Sequence, residues 1–457
     1  MFLYIPAYDL TALTAEKIAK EAMAVLLDNM VVAGSFFRDF DPLVADYGEV
    51  VNFNAPVEGT GRRLPEGTDF TFTTPSATGG SVVMNQQVYA AFSLTSRQKQ
   101  RSFPDLAEYF IEPHIRPTVQ FLEKCCIGEM YNTLILGGGN ISGYIGTDPT
   151  FAITHQARKH LNERKVAIGQ IRPMFVGTDP ESYISQIDKF SEARMTGDGS
   201  PLITGGVKFG AGFDFALSTL MPDINLAMTD YREGAINSAA GYLAGTTTMT
   251  VDGFTGAGVT GQWCTIAGVP YRLTGHTETT GNLTEITIAS PGLRDAIVDN
   301  AVVRVFDGGT VDLIAGYAAG WDDWIVVADF TNLPQVGQGL QFAATSPIYS
   351  VVDVDSSNSK ILLNRPLDAA VVNDTIIHLT PAGKYSWSQN RPGQILVNRP
   401  LENLNEGSIS SFILEYNGIA LRTMMSVDHA SQKTRISIDA LFGLGTYNAN
   451  YGEIMVS

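Results

Sequence analysis

The helical pattern of this chain breaks off near Arg232 and does not return until about Lys384. Between those points Thr, Val, Asp and Gly dominate, and short alternating runs replace helical spacing, so the stretch predicts strands and turns. It also repeats itself. Phe254–Thr255, Gly261–Gln262, Ala267 and Tyr271 recur as Phe330–Thr331, Gly337–Gln338, Ala343 and Tyr349. Pro291–Gly292–Leu293 and Asp295–Ala296–Ile297–Val298 recur as Pro366–Leu367 and Asp368–Ala369–Ala370–Val371, at a spacing of roughly 73 to 78 residues. Two tandem copies of one small β module, each a sandwich or barrel, account for this. Mixed character resumes on the far side, so the expected fold class is an α+β body interrupted by an all-β insertion. Such an interruption is tolerated where its two ends lie close together.

The flanks carry ordinary signals. Residues 11 to 33 place Ile18, Ala22, Val25, Leu26 and Met30 on one helical face and Glu16, Lys20 and Asp28 on the other. A strand is expected at Glu49 to Asn54, and alternation returns from Ser81 to Leu94. Between them Pro56 to Gly80, rich in Gly, Thr and Pro, reads as a long exposed loop or hairpin. Pro104 opens a helix that Pro113 and Pro117 should kink or end. A longer helix is predicted from about Thr118 to Leu136, with Val119, Leu122, Cys126, Met130 and Leu134 as its apolar stripe. Further on, Ile153 to Lys165 reads as a helix and Arg172 to Gly177 as a strand. Asp179–Pro180–Glu181 reads as a capped helix start. A Gly-rich β segment covers Gly205 to Ser218. After Arg391, the runs Ser408 to Tyr416, Ala420 to Asp428 and Thr434 to Phe442 predict an antiparallel meander.

Charge and motifs exclude several classes. The 457 residues carry 30 basic and 47 acidic side chains, a net −17, which argues against a protein built to grip nucleic-acid phosphates. A 44% hydrophobic content with 17% charged residues excludes a disordered chain. Cys125, Cys126 and Cys264 outline no disulfide framework and read as small buried hydrophobes in a protein made in a reducing cytoplasm. Met1 to Leu10 lacks the basic start of a secretory signal, and Ala22 to Phe37 is too short and polar to span a bilayer. His155 and His160 stand five apart, about 140° around a helix, which is not a metal pair. Gly256-Ala257-Gly258-Val259-Thr260-Gly261 matches a dinucleotide fingerprint in letters, but a strand pattern follows it, so it reads as a glycine turn. Asp322, Asp323, Asp353 and Asp355 read as exposed turn residues rather than a cation site. Trp263, Trp321, Trp324 and Tyr349 read as module cores. No catalytic, cofactor or metal residue is assigned, and an enzyme is not expected.

The order of elements carries a resemblance. Gly48 to Pro56 resembles the strand entering the E-loop of the tailed-phage major capsid protein family with the Hong Kong 97-type fold, and Gln87 to Leu94 with Thr95–Ser96 resembles its return. Ala157–Arg158 with Leu161, Arg172 to Val176 and Asp179–Pro180 resemble the helix–strand–helix of that family's axial domain. Gly205–Gly206 and Gly212 to Ser218 resemble its glycine–phenylalanine strand, and Arg435 to Gly443 its closing strand. The chain is similar to the branch with an inserted β domain, although a doubled insertion departs from it.

The resemblance implies an N-terminal arm (1–47), an E-loop hairpin (48–96), a P-domain with a spine helix (97–136) and a first A-domain part (137–231). It further implies an insertion (232–388, repeats about 246–308 and 322–382) and returning A/P-domain strands (389–457). It implies self-assembly as hexamers and pentamers into an icosahedral shell around double-stranded DNA, within the virion capsid and built in the bacterial host cytoplasm. Scaffolding protein, portal protein and a decoration or cement protein would be partners, with no membrane. Arg62, Arg63, Glu66 and Asp69 in the loop are the candidate inter-subunit contacts. The acidity would suit a wall that encloses DNA without holding it. A β-rich glycan- or surface-binding protein and an encapsulin-like nanocompartment are the alternatives.

Overall fold

The computed structural model describes residues 14–38, 50–56, 63, 77–95, 98, 107–134, 141–142, 150–166, 168–191, 209–225, 231–258, 260–289, 292–306, 308–330, 332–342, 347–404, 409–416, 419–428 and 430–457. The body is mixed α+β. One sheet, of five strands, is organised by the 14-residue strand Lys433–Thr446. That strand pairs with Gln86–Thr95, Ile419–Asp428 and Gln394–Arg399, and Ile409–Tyr416 continues the sheet beyond Ile419–Asp428. One face of the sheet is apolar by alternation, with Ile436, Ile438 and Ala440 buried. Two helices, Ala15–Asn29 and Glu112–Gly128, cover it, bringing Ile18, Ala22, Ile115, Val119 and Leu122 into one core.

The long helix differs from the sequence expectation. It begins at Glu112, six residues before Thr118, and runs through both prolines. Pro113 lies in the first turn, where no amide donor is needed, and the carbonyl that Pro117 leaves unpaired belongs to an exposed turn open to water. A π-helical turn, Ala107–Ile111, precedes the helix, and a 3₁₀ turn, Glu129–Leu134, ends it. The arm helix is likewise shorter than residues 11 to 33, spanning Ala15–Asn29.

A second, seven-stranded sheet runs in the order Ile141–Ser142, Gly452–Val456, Gly383–Gln389, Arg172–Val176, Phe213–Leu217 and Phe209–Gly210, with Asp223–Ile224 beside Gly383–Gln389. Helices Phe151–Glu163 and Thr178–Ser185 adjoin it and share its core through Ile153, Ala157, Leu161 and Ile184. The second helix starts earlier than Asp179: Gly177 is its N-cap, with no side-chain cap, and Pro180 is buried inside the first turn. Gly383–Gln389 pairs with Gly452–Val456 and Arg172–Val176, so it belongs to this sheet, and the 232–388 boundary of the all-β segment is corrected to end before Gly383.

The all-β segment holds two six-stranded units. The first comprises Tyr231–Ile236, Thr248–Asp252, Trp263–Ile266, Val269–Thr279, Asn282–Ile288 and Val302–Phe306. The second comprises Thr310–Val311, Ile325–Ala328, Gly339–Phe342, Ile348–Asp355, Lys360–Leu363 and Ile377–Leu379. Counted in chain order within each unit, both pair as first–second–fifth–fourth–third–sixth. In the first unit the sixth strand also pairs with the first and closes a barrel; in the second an isolated bridge, Thr310↔Ile376, stands at the same place. Matching hydrogen bonds recur. The Tyr242 and Tyr317 hydroxyls accept from the amides of Thr250 and Val326, and those of Tyr271 and Tyr349 accept from the amides of Arg294 and Asp368. Gly261 and Gly337 hold φ of +99° and +89° at equivalent turns, a conformation costly for a side chain. Both units start earlier than the sequence repeat, because their first strands, Tyr231–Ile236 and Thr310–Val311, share no side-chain pattern.

The modules bury a polar seam. Trp263, only 1% exposed, joins the body core with Phe306, Ile348 and Val352 rather than the barrel core. Trp321 is 39% exposed, so it is not the core residue the sequence suggested. His378 is buried opposite Gln341 in the sheet, close enough to Arg272 for the two charges to oppose each other. Burial, then Arg272, push the His378 pKa down to about 4. An unfolded His titrates near 6.5, so the unfolded chain binds more protons across pH 4 to 6.5, and this contribution to stability is lost as pH falls through that window. Its ceiling is about 3 kcal/mol. Denaturant melts of wild type and His378→Gln at pH 7 and pH 4 should show a wild-type stability loss that exceeds the variant's; parallel losses would refute the assignment.

Candidate assembly surface

Strands Val50–Pro56 and Ala77–Val83 form a two-stranded antiparallel ribbon, in register from Val50↔Val83 to Pro56↔Ala77. It is a sheet of its own. The single return strand expected from Ser81 to Leu94 is divided at Met84–Asn85. Its first part pairs in the ribbon and its second, Gln86–Thr95, joins the five-stranded sheet beside Lys433–Thr446. The break lets the ribbon leave the sheet at its root, with Val50 and Val83 48% and 40% exposed.

A small core seats that root. Val82 and Met84 are buried with Ile395 and Val397, while Phe53 stacks on Tyr447 at 5.3 Å between ring centroids. The seat requires two glycines in the central strand. A Cβ on Gly445 would lie 2.4 Å from Val82 Cγ2, and one on Gly443 would lie 2.5 Å from the Val83 carbonyl oxygen. Beside it, the ribbon root, Arg365–Pro366 of the second module and Leu444–Ala449 enclose a cleft of about 580 Å³.

Of the sequence-predicted contact residues, Arg63 is exposed. Arg62, Glu66 and Asp69 lie outside the described residues.

Sequence reasoning missed the buried carboxylates that tie remote segments to the long helix. Glu123 is fully buried, and its carboxylate accepts from the amides of Val31 at 3.0 Å, Val32 at 2.5 Å and Ala33 at 3.1 Å. Burial raises its pKa above the usual carboxyl value, against the pull of those three amides. The same turn is held from outside, as Arg391 donates to the carbonyls of Gly34 and Ser35, and Arg38 to that of Gly34. Glu129, also fully buried, accepts from Asn132 at 2.6 Å and Asn364 at 3.2 Å and lies 3.5 Å from the Arg365 guanidinium. Burial works against the Arg365 charge, but Glu129 and Asp368 outweigh it and raise its pKa. Glu453 binds His160 at 2.9 Å and Arg164. The one available signal was an acid, Glu123, between Leu122 and the cysteines on an otherwise apolar stripe.

These groups hold chain segments together. Among the described residues no cluster of His, Cys, Asp or Glu could hold a metal, and no helix is long and apolar enough to cross a membrane. The three cysteines are buried and burial pushes their thiols up. The glycine motif is a loop between strands, with Gly256 at φ +103°.

No protein-family model and no curated protein matches the chain. Among solved structures, a chain of Mycobacterium phage Che8 is similar over 93% of this chain and 90% of its own, at 10% identity and a TM-score of 0.41. The capsid structure of the Cyanophage P-SCSP1u aligns over 90% and 84%, at 8% identity and 0.42. That of Staphylococcus phage Andhra aligns over 100% and 88%, at 8% identity and 0.39. With likeness this distant, the functional reading rests on the chain's own geometry.

Glu123→Gln keeps one acceptor but turns an NH₂ group toward backbone donors. It is expected to cost about 2–4 kcal/mol, read as a lower urea midpoint; an unchanged midpoint would refute the clamp. Gly445→Val should cost about 1–3 kcal/mol by forcing Val82 out of its seat, measured the same way.

Proposed function

We propose that this chain is a structural major capsid protein of the tailed-phage, Hong Kong 97-type family, assembling as hexamers and pentamers into an icosahedral shell around double-stranded DNA. The observation that carries the reading is the ribbon. It is rooted in the chain's own core, yet its strands pair only with each other among the described residues, and valines stand exposed on it. Paired edges and a neighbouring surface are what such a ribbon gains by lying on another subunit. The long helix packed across a sheet that joins the ribbon's return strand to the C-terminal strands supports the same reading, with the helix as spine.

On this reading residues 1–47 are the arm, 48–96 the E-loop, 97–136 the P-domain with its spine, and 137–230 with 383–457 the A- and P-domain remainder. The tandem modules are the insertion and brace the capsomer. Arg62, Arg63, Glu66 and Asp69 reach across subunits. Scaffolding, portal and decoration proteins are the proposed partners, and assembly takes place in the host cytoplasm. The job is structural and needs no cofactor.

Purified chain examined by sedimentation and negative-stain imaging, alone and with scaffolding protein, should give capsomers or closed particles. Monomers in every condition would overturn the reading. Arg63→Glu should lower the yield of closed particles several-fold without moving the monomer's melting curve; unchanged yield would remove Arg63 from the contact.

A further inference from the structure

The two modules present the same exposed apolar face. In the first, Tyr242 bridges Ile297, and both pack toward the barrel core. Strand alternation therefore turns Leu243, Ala296 and Val298 outward, and all three are exposed. In the second, Tyr317 bridges Val371, both are buried, and Ala318, Ala370 and Val372 are exposed. Leu243 is 77% exposed and Val298 74%; Val372 is 69% exposed, and Ile314, in the adjoining turn, 94%. That turn is tied to the strand end through the Leu313 amide on Asn373, as the Ser238 amide is tied to Asp299 in the first module. Holding the fold requires the tyrosines and the turn glycines. It does not require aliphatic side chains on the solvent side, yet both copies carry them.

The surroundings are predominantly acidic. The loops forming the two faces, residues 237–247 and 295–301 in one module and 312–320 and 368–376 in the other, contain Asp295, Asp299, Asp312, Asp368 and Asp374 and no Lys, Arg or His; the nearest cations are Arg294, which adjoins Asp295, and Arg365, which pairs with Asp368 at 3.2 Å. Across 231–379 there are 15 acidic and 6 basic residues, more than half of the chain's net charge in a third of its length. A second copy would meet this rim with like charge, and nucleic acid would be repelled by it.

We propose that these faces are two equivalent docking sites for a partner protein segment that sets aliphatic side chains among lysines or arginines. Aliphatic contact gives the affinity, the acidic rim selects the basic partner, and the tandem repeat sets two sites per chain. The proposal needs only the modules, so it stands apart from shell assembly.

The test uses the full chain and a fluorescently labelled peptide of alternating leucine and lysine, followed by anisotropy and calorimetry. Two peptides should bind per chain. Leu243→Ser with Val298→Ser should leave one, and adding Ile314→Ser and Val372→Ser should weaken the remaining binding at least about tenfold. Ile168→Ser, an exposed aliphatic elsewhere, should change nothing. Melting curves check folding, and Val298→Thr with Val372→Thr, nearly isosteric, provides a gentler pair with the same direction expected. Undiminished binding by the fourfold variant would overturn the proposal. So would equal binding of a peptide with serine in place of leucine, or a fourfold variant that loses self-association, which would make the faces copy-to-copy contacts.

Discussion

Everything else in this fold depends on how the long helix Glu112–Gly128 deals with two carboxylates that it and its 3₁₀ extension carry into the interior. A buried acid near the C-terminal end of a helix is doubly disfavoured, by desolvation and by the negative end of the helix dipole. Neither Glu123 nor Glu129 finds compensation on the helix alone. Glu123 takes three successive amides from a turn about 90 residues earlier, and Glu129 takes an asparagine and an arginine from the second module about 235 residues later. Removing the partners would leave uncompensated charge, so the acids penalise any arrangement in which the arm or the module sits elsewhere. Apolar packing covers the same helix, but it is tolerant of sliding in a way that three aligned amides are not.

The modules show the same division between what is held and what is offered. Trp263, the Tyr131 hydroxyl on the Gly337 carbonyl, and Asn364 beside Gly128 fasten the pair to the body. The two copies share one strand order, and each contributes to the body core, Trp263 and Phe306 from the first and Ile348 and Val352 from the second. The two depart from symmetry in one place: the first unit closes as a barrel, whereas the second retains only a single bridge at the closing position.

How much was legible follows from the range of the forces involved. Alternation and helical spacing are local, so the meander Ile409–Tyr416, Ile419–Asp428 and Lys433–Thr446, the helix Phe151–Glu163 and the all-β character of the middle segment could be read directly. The repeat was legible wherever a turn demanded a glycine or a buried tyrosine. It disappeared in the first strands, where exposed and short pairings accept almost any side chain. The prolines misled because their penalty depends on whether water can reach the carbonyl they orphan, which no sequence window reports. Glu123, Glu129 and Glu453 looked like ordinary acids, since the partners that make them structural lie tens to hundreds of residues away. Of the candidate contacts, loop composition singled out Arg63 as exposed, but which surface it meets is a property of a second copy.

The ribbon is the physical ground of the proposed assembly. Its root is fixed by two glycines that admit Val82 and by the stacking of Phe53 on Tyr447, so its departure from the body is specified rather than slack. Among the described residues each strand of the ribbon pairs only with the other, and Val50 and Val83 stand exposed on it. Natural sheets avoid that combination by charge, proline or cover, because an open edge recruits other chains. Here charge is sparse along the paired segments Val50–Pro56 and Ala77–Val83, which contain no Lys, Arg, Asp or Glu. An edge left open on a rigid root is unprotected against association, and the proposed neighbouring subunit is what would cover it.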